Sequence, residues 1–199
     1  MKTTAMMRIF VSMLFSLSGL TAVTPLQATE DIWSDLAKGG KVILMRHAPV
    51  DKGKGKSLLR DPSCAEERNL SEAGRHAARQ LAEQFKTRNI PIEEVRHSPF
   101  CRTTDTAKLV FARGTAVTYL SLLEILDTQE SAAQSLRLNQ IIGSYHGKGN
   151  LVLISHEPNI RAVSFELVKH LDFLVLQPLG GDEFEELAMV RFANIKSNR

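Results

Sequence analysis

Two apolar runs in this chain each end in a histidine. Residues 41–45 (KVILM) lead into Arg46-His47, and Asn150–Ser155 (NLVLIS) leads into His156. Between them, Ser98-Pro99-Phe100-Cys101-Arg102 lies where a strand pattern gives way to a helix pattern. In α/β sheets ligands bind beyond the carboxyl ends of strands. Arg46, His47 and His156 are therefore expected to stand exposed at one crevice, with Arg102 reaching it from a helix start. A guanidinium is permanently charged, and its planar fork matches phosphate oxygens. Two such groups beside a helix N-terminus make an anion cradle. A neutral imidazole in that cradle can attack phosphorus and form a covalent intermediate. The arginines and the second histidine would then offset charge on the equatorial oxygens.

The elements that must position these groups alternate. Residues 31–38 read as a short helix stopped by Gly39-Gly40, and 41–45 as a strand covered on both faces. Residues 50–69 are polar, carry Lys52, Lys54 and Lys56, and read as a loop. Ser71 caps a helix to about Arg88, with Ala73, Ala77, Leu81 and Phe85 on one face. A strand at Ile92–His97 and a helix over 103–111 follow, then a third strand over 116–120. Asp127 with Glu130 forms a capping-box pattern opening a helix through Leu136, Ile141 and Tyr145. After the strand Asn150–Ser155 comes a helix from Asn159 to about His170, and residues 185–192 supply a last strand. The alternation predicts an α/β fold, a three-layer α/β/α sandwich around a mainly parallel sheet.

The first 28 residues carry Lys2 and Arg8 and no acid, followed by an apolar stretch over 9–23. That stretch falls short of the about 20 residues a spanning helix needs. It has the layout of a secretory signal peptide, with Ala28 as the expected cleavage position. The expected domain is then 29–199, located in the periplasm or secreted, with no stable membrane span after cleavage. Removing residues 1–28 leaves 23 basic against 22 acidic residues, so the basic excess belongs to the targeting segment. A near-neutral remainder gives no footing for nucleic acid, which needs a basic face. With 43% hydrophobic and 24% charged residues, the composition also excludes disordered, collagen-like and disulfide-dense classes. In an oxidising compartment Cys64 and Cys101 are a candidate pair. Their bridge would tie the polar loop to the wall that carries Arg102.

Two further signals are set aside. Gly55-Lys56-Ser57 imitates the end of a phosphate-binding P-loop, but the required earlier glycine falls on Val50. The lysines around it read as a solvated rim or as a means of steering an anion. His76, His97, His146 and His170 share no spacing suited to a metal, and neither metal nor cofactor is expected.

Four segments together, LMRHA (44–48), NLSEAG (69–74), SPFCRTTDTA (98–107) and LISHEPNI (153–160), resemble the histidine phosphatase superfamily, also called phosphoglycerate-mutase-like. The resemblance covers roughly residues 41–160. It implies the phosphoglycerate-mutase-like fold, a phosphorylated His47 during turnover, and a phosphate pocket of Arg46, Arg102 and His156. Leu122-Leu123-Glu124 resembles the segment that supplies the proton donor in many relatives, although the glycines and aromatic that often follow are absent. Glu124 is accordingly the expected acid, with Asp127, Asp105, Glu157, Asp182 and Glu183 as alternatives. The resemblance implies an exported phosphomonoesterase of the histidine acid type, acting on a small-molecule or glycolipid phosphomonoester without a metal. A phosphomutase on the same fold and a non-catalytic phosphate-binding module are the alternatives; oligomeric state stays open.

Overall fold

The computed structural model describes residues 32–196, so the expected signal peptide lies outside the described residues. A first helix, α1 (32–37), ends at Gly39 and Gly40, both with positive φ (75° and 71°). Then follow β1 (Val42–Arg46), α2 (Glu72–Thr87), β2 (Ile92–His97), α3 (Cys101–Phe111) and β3 (Thr115–Ala116). Two 3-10 turns, Thr118–Leu120 and Leu123–Ile125, lead to α4 (Thr128–Gly143), β4 (Asn150–Ser155) and α5 (Glu157–Arg161). The chain closes with β5 (Phe173–Gly180), β6 (Glu183–Val190) and α6 (Phe192–Lys196).

Six strands form one sheet in the order β3-β2-β4-β1-β5-β6. The strands β3, β2, β4 and β1 pair in parallel, while β5 and β6 are antiparallel additions beside β1. Alternation along β1 explains the layering, because successive side chains leave opposite faces of the sheet. Ile43 and Met45 enter one apolar cluster with Trp33 of α1, Ala77, Leu81 and Phe85 of α2, Ala107 of α3 and Ile195 of α6. Val42 and Leu44 enter the other, with Leu138 and Ile142 of α4 and Ile160 of α5. The result is a three-layer α/β/α fold whose sheet is parallel at its centre, as the sequence pattern predicts. No helix among the described residues is long and apolar enough to cross a membrane.

Helix α2 begins at Ser71, whose Oγ accepts the Gly74 amide at 3.0 Å. Gly74 faces inward, and a Cβ there would stand 1.9 Å from the Pro49 carbonyl oxygen. A glycine is therefore required where α2 crosses the chain just after His47. Ala73, expected on the apolar face, is exposed instead; Gly74 and Ala78 are buried. In α4 the Asp127–Glu130 capping box forms as expected, but Leu136 is exposed and the helix stops before Tyr145.

Four departures concern the sheet and its connections. The expected strand 116–120 shrinks to β3, two residues long, because it is the outermost strand and Val117 already hands over to a 3-10 turn. The helix expected from Asn159 to His170 stops at Arg161, and residues 162–172 turn back over the end of β1. Phe173–Gly180, not anticipated as a strand, is β5. The last strand runs over Glu183–Val190 rather than 185–192, and Phe192 opens α6.

Candidate active site

Beyond the carboxyl ends of β1 and β4 lies a cavity of about 290 Å³. Arg46, His47, Arg102, His156 and Glu124 all line it, together with Lys52, Ser57, Arg68, Glu157 and His170. The sequence places His47 and His156 as exposed groups. They are buried instead, at 6% and 2% exposure, because loops from both sides close over the strand ends.

His47 is held by its own backbone neighbour. Its Nδ1 lies 2.9 Å from the Ala48 carbonyl oxygen. A carbonyl can only accept, so Nδ1 carries the proton and Nε2 keeps its lone pair. The Ala48 peptide is itself fixed: its amide donates to Thr106 Oγ1 (3.0 Å), and that hydroxyl donates to the Arg102 carbonyl (2.7 Å). Helix α3 thus determines both where Arg102 stands and which nitrogen of His47 is free. The His47 amide donates to the Ser155 carbonyl of β4 (3.1 Å), so the two histidine-bearing strand ends are locked together.

His156 faces His47 with ring centroids 5.5 Å apart. Arg102 Nη2 donates toward His156 Nδ1 at 3.3 Å, which leaves Nε2 as the N–H that donates to Ser98 Oγ at 2.8 Å. The Arg102 guanidinium also lies over the Phe100 ring, 4.3 Å from its centroid, and donates to the Ser57 carbonyl of the polar loop (3.1 Å). Arg46 Nη1 donates to the Val168 carbonyl at 2.6 Å. Arg46 Nε, Arg68 Nε and Arg102 Nη1 are buried with no hydrogen-bond partner among the described residues. Buried polar groups are nearly always paired. Three guanidinium donors without partners around one hollow are what an anion would satisfy.

Burial dominates the proton chemistry. It pushes His47 well below the ordinary imidazole value, with the nearby His156 and Arg102 adding to the effect and the Ala48 hydrogen bond opposing it. His156 is lowered likewise, by burial and then by Arg102 and Arg46. Burial draws Arg102 down to about 10, partly countered by Glu67. The hollow therefore combines cationic guanidiniums with neutral imidazoles at neutral pH, the state in which a nitrogen can attack.

Of the carboxylates weighed from sequence, Glu124 and Glu157 line the cavity. Glu124 sits in the turn Leu123–Ile125, just after a segment tied to the end of β4 and to α5: Ser155 Oγ donates to the Leu120 carbonyl and Asn159 Nδ2 to the Ser121 carbonyl. Glu157 pairs with Arg161 at 3.5 Å. The others stand elsewhere. Asp105 pairs with Arg75 at 2.9 Å, Asp127 caps α4, and Asp182 and Glu183 lie at the β5–β6 turn against Gly143.

The polar loop forms the cavity's other wall, and Cys64 is bridged to Cys101 at the first residue of α3. Glu67, 2% exposed, accepts the Cys101 amide at 2.8 Å and the Asp61 amide at 3.0 Å, fastening loop to helix a second time. Lys52 lines the cavity, whereas Lys56 is engaged with Glu66 at 2.7 Å on the surface. Sequence reasoning did not single out Glu67 or Arg68, met Ser57 only in the P-loop imitation it set aside, and considered His170 solely as a metal ligand. Arg68 carries a readable signal, its place directly before NLSEAG; the other three carry none.

The segment running from β1 through the start of α4, residues 42–127, matches the family model of the histidine phosphatase superfamily, branch 1. Residues 42–127 thus carry the pattern of the histidine phosphatase superfamily. Solved structures extend the likeness across the sheet. The protein histidine phosphatase SixA complexed with tungstate superposes with a TM-score of 0.59 at 18% identity, over 78% of this chain and 99% of that one. A mycobacterial glucosyl-3-phosphoglycerate phosphatase gives 0.54 at 16%, over 74% and 97%. A phosphoserine phosphatase from Entamoeba histolytica, in complex with 3-phosphoglyceric acid, gives 0.55 at 13%, over 76% and 96%. At these identities the structures establish the fold. The curated proteins include none that matches this chain in sequence. Superfamily and fold together support a phosphatase, and the superfamily also holds mutases.

Proposed function

We propose that this chain is an exported phosphomonoesterase that works through a phosphohistidine at His47, on a small-molecule or glycolipid phosphomonoester. One observation carries the reading: an imidazole with its proton fixed on Nδ1 shares a hollow with guanidinium donors that lack partners. His47 Nε2 attacks phosphorus, the bond to the leaving oxygen breaks, and Glu124 gives that oxygen a proton. Arg46, Arg102 and His156 hold the equatorial oxygens as charge builds on them. Water then attacks phosphorus, the N–P bond breaks, and Glu124 takes the proton that the water loses. Tungstate bound to SixA and 3-phosphoglyceric acid bound to the amoebal phosphatase support an oxyanion as the ligand of this fold's cavity. Export is supported by the make-up of residues 1–28 and by a disulfide, a bond that persists in oxidising compartments.

The test is turnover of an aryl phosphate with an alkaline quench. Wild type is expected to release phosphate and to carry it transiently on His47. His47→Ala should lose both, and Arg102→Ala should lower kcat/KM by about 10²–10³-fold. Tight phosphate binding with no turnover by wild type would instead favour a binding module. Transfer of the phosphoryl group to a second position, rather than its release, would favour a mutase.

A further inference from the structure

His170 belongs to none of the four sequence segments, yet it reaches the cavity. Its ring centroid lies 5.0 Å from that of His47, and it precedes β5 whereas His156 follows β4, the two strands that flank β1. Its Nδ1 is 3.1 Å from the His47 carbonyl oxygen. A carbonyl accepts, so Nδ1 is the protonated nitrogen, and Nε2 is left with a lone pair on a ring that lines the hollow.

The turn that delivers this ring is firmly built. Asp172 Oδ2 accepts the Lys169 amide at 3.0 Å, the Asp172 amide donates back to the Lys169 carbonyl at 3.1 Å, and Asp172 Oδ1 accepts the Phe192 amide at 2.9 Å. Leu171 is fully buried in the left-handed region at φ 65°, a conformation that non-glycine residues adopt rarely and that surrounding structure must hold. The Leu171 amide donates to the Arg46 carbonyl (3.2 Å), and Arg46 Nη1 donates to the Val168 carbonyl. The same turn therefore positions an arginine of the cradle and presents an imidazole to it.

The geometry points to His170 as a further phosphate ligand, one that takes up a proton together with the anion and then donates to it from Nε2. This inference rests on the phosphatase reading. Around His170 stand Arg46 and His47 from the end of β1, Lys52 from the polar loop, Arg68 just before α2, Arg102 from α3, and His156 and Glu157 after β4, with Glu124 on the facing turn. Burial and then Arg46 hold the ring neutral, with its titration drawn down to about 4. A bound dianion reverses the local charge and favours the imidazolium. A neutral lone pair facing an oxyanion would be repelled, whereas the protonated ring donates a charge-assisted hydrogen bond.

The experiment titrates the intact protein with tungstate, an oxyanion that remains dianionic through neutral pH. Calorimetry at pH 6 in two buffers of different ionisation enthalpy counts the protons taken up per anion. His170→Asn keeps a donor for the His47 carbonyl and removes Nε2. It should bind with about one proton fewer than wild type, and its affinity should fall less steeply with rising pH, by up to tenfold less per unit. A role limited to bracing His47 leaves the proton count unchanged, and that result overturns the proposal. Wild-type protein labelled with ¹⁵N-histidine gives a reading that needs no variant to fold. One further Nε2, that of His170, should change from the lone-pair to the protonated class when tungstate is added; no change there also overturns it. Failure of wild type both to bind tungstate and to hydrolyse aryl phosphates would bring down the phosphatase reading and this inference with it. Binding without the extra proton brings down the inference alone.

Discussion

Loss of the Cys64–Cys101 bridge should lower the thermal midpoint by roughly 8–16 °C and weaken substrate binding more than turnover. The bridge joins residues 37 positions apart. The chain-entropy treatment assigns a loop of that length about 4 kcal/mol of stabilisation. For a domain of this size each kcal/mol moves the midpoint about 2–4 °C. The effect on function follows from where the bridge lands. Cys101 is the first residue of α3, next to Arg102, whose guanidinium donates to Ser57 in the loop that the bridge holds. Glu67 still fastens that loop to the Cys101 and Asp61 amides, so the wall loosens without leaving. His47 is fixed by Ala48 and Thr106, outside the loop, and should keep its geometry. The Cys64→Ser/Cys101→Ser double variant and the reduced wild type, its thiols blocked, are to be compared with oxidised protein by scanning calorimetry and by KM and kcat on an aryl phosphate. A midpoint change under about 2 °C with both thiols shown to be free would refute the loop-entropy reasoning. A fall in kcat at constant KM would refute the assignment of the bridge to the binding wall.

Acid should destabilise the fold through its imidazoles. His47, His156 and His170 are all held below the ordinary 6.5, so between about pH 6.5 and 4 the unfolded chain binds protons that the folded chain refuses. Stability should be level above pH 6.5 and fall on acidification, the His170 share levelling off below about 4; thermal midpoints that stay flat from pH 8 to 4 would contradict neutral buried rings. Glu124→Gln should cost about 10²-fold or more in kcat/KM, which reports the step that expels the leaving group, with an alkyl phosphate and far less in kcat/KM with 4-nitrophenyl phosphate, whose leaving group needs no acid. Equal losses on both substrates would remove Glu124 as the donor. Asp127→Ala should cost about 1 kcal/mol of stability through the lost α4 cap and leave turnover unchanged, checked by denaturant unfolding and steady-state rates.

The parts of the fold legible in the sequence are those with a strong local cause. β1 and β4 read as strands because they are apolar throughout, and they are apolar because clusters cover both faces. The caps at Ser71 and Asp127 announce α2 and α4 through side chains that bond the next turn. The stretch after Asn159 misleads for a physical reason. Ile160, Val163, Leu167, Val168 and Leu171 recur at helical spacing, but Val168 and Leu171 are buried by a turn rather than on a helix face, and Leu167 is exposed. The helix reading consumed the approach to β5 and hid Phe173–Gly180. Four of the cavity's groups stand at strand or helix ends, where a sheet rule can find them. His170 and Glu67 come from irregular backbone, and their roles depend on tertiary hydrogen bonds to His47, Cys101 and Asp61 that no local spacing encodes. Glu67 in particular reads as one more solvated acid in a polar loop until α3 is seen to begin against it.

The two rims of the sheet differ from its centre in a way that bears on how the protein behaves at high concentration. On one side the ladder stops at the two-residue β3; on the other it stops at β6, where Glu183, Glu185 and Glu186 are exposed. A stub that short offers a stranger's backbone almost nothing to register against, and a row of negative side chains repels a second copy of itself. Among the described residues, rim-to-rim stacking of copies is thus opposed by charge along β6 and, at the other rim, confined to the short stretch of β2 that β3 leaves uncovered.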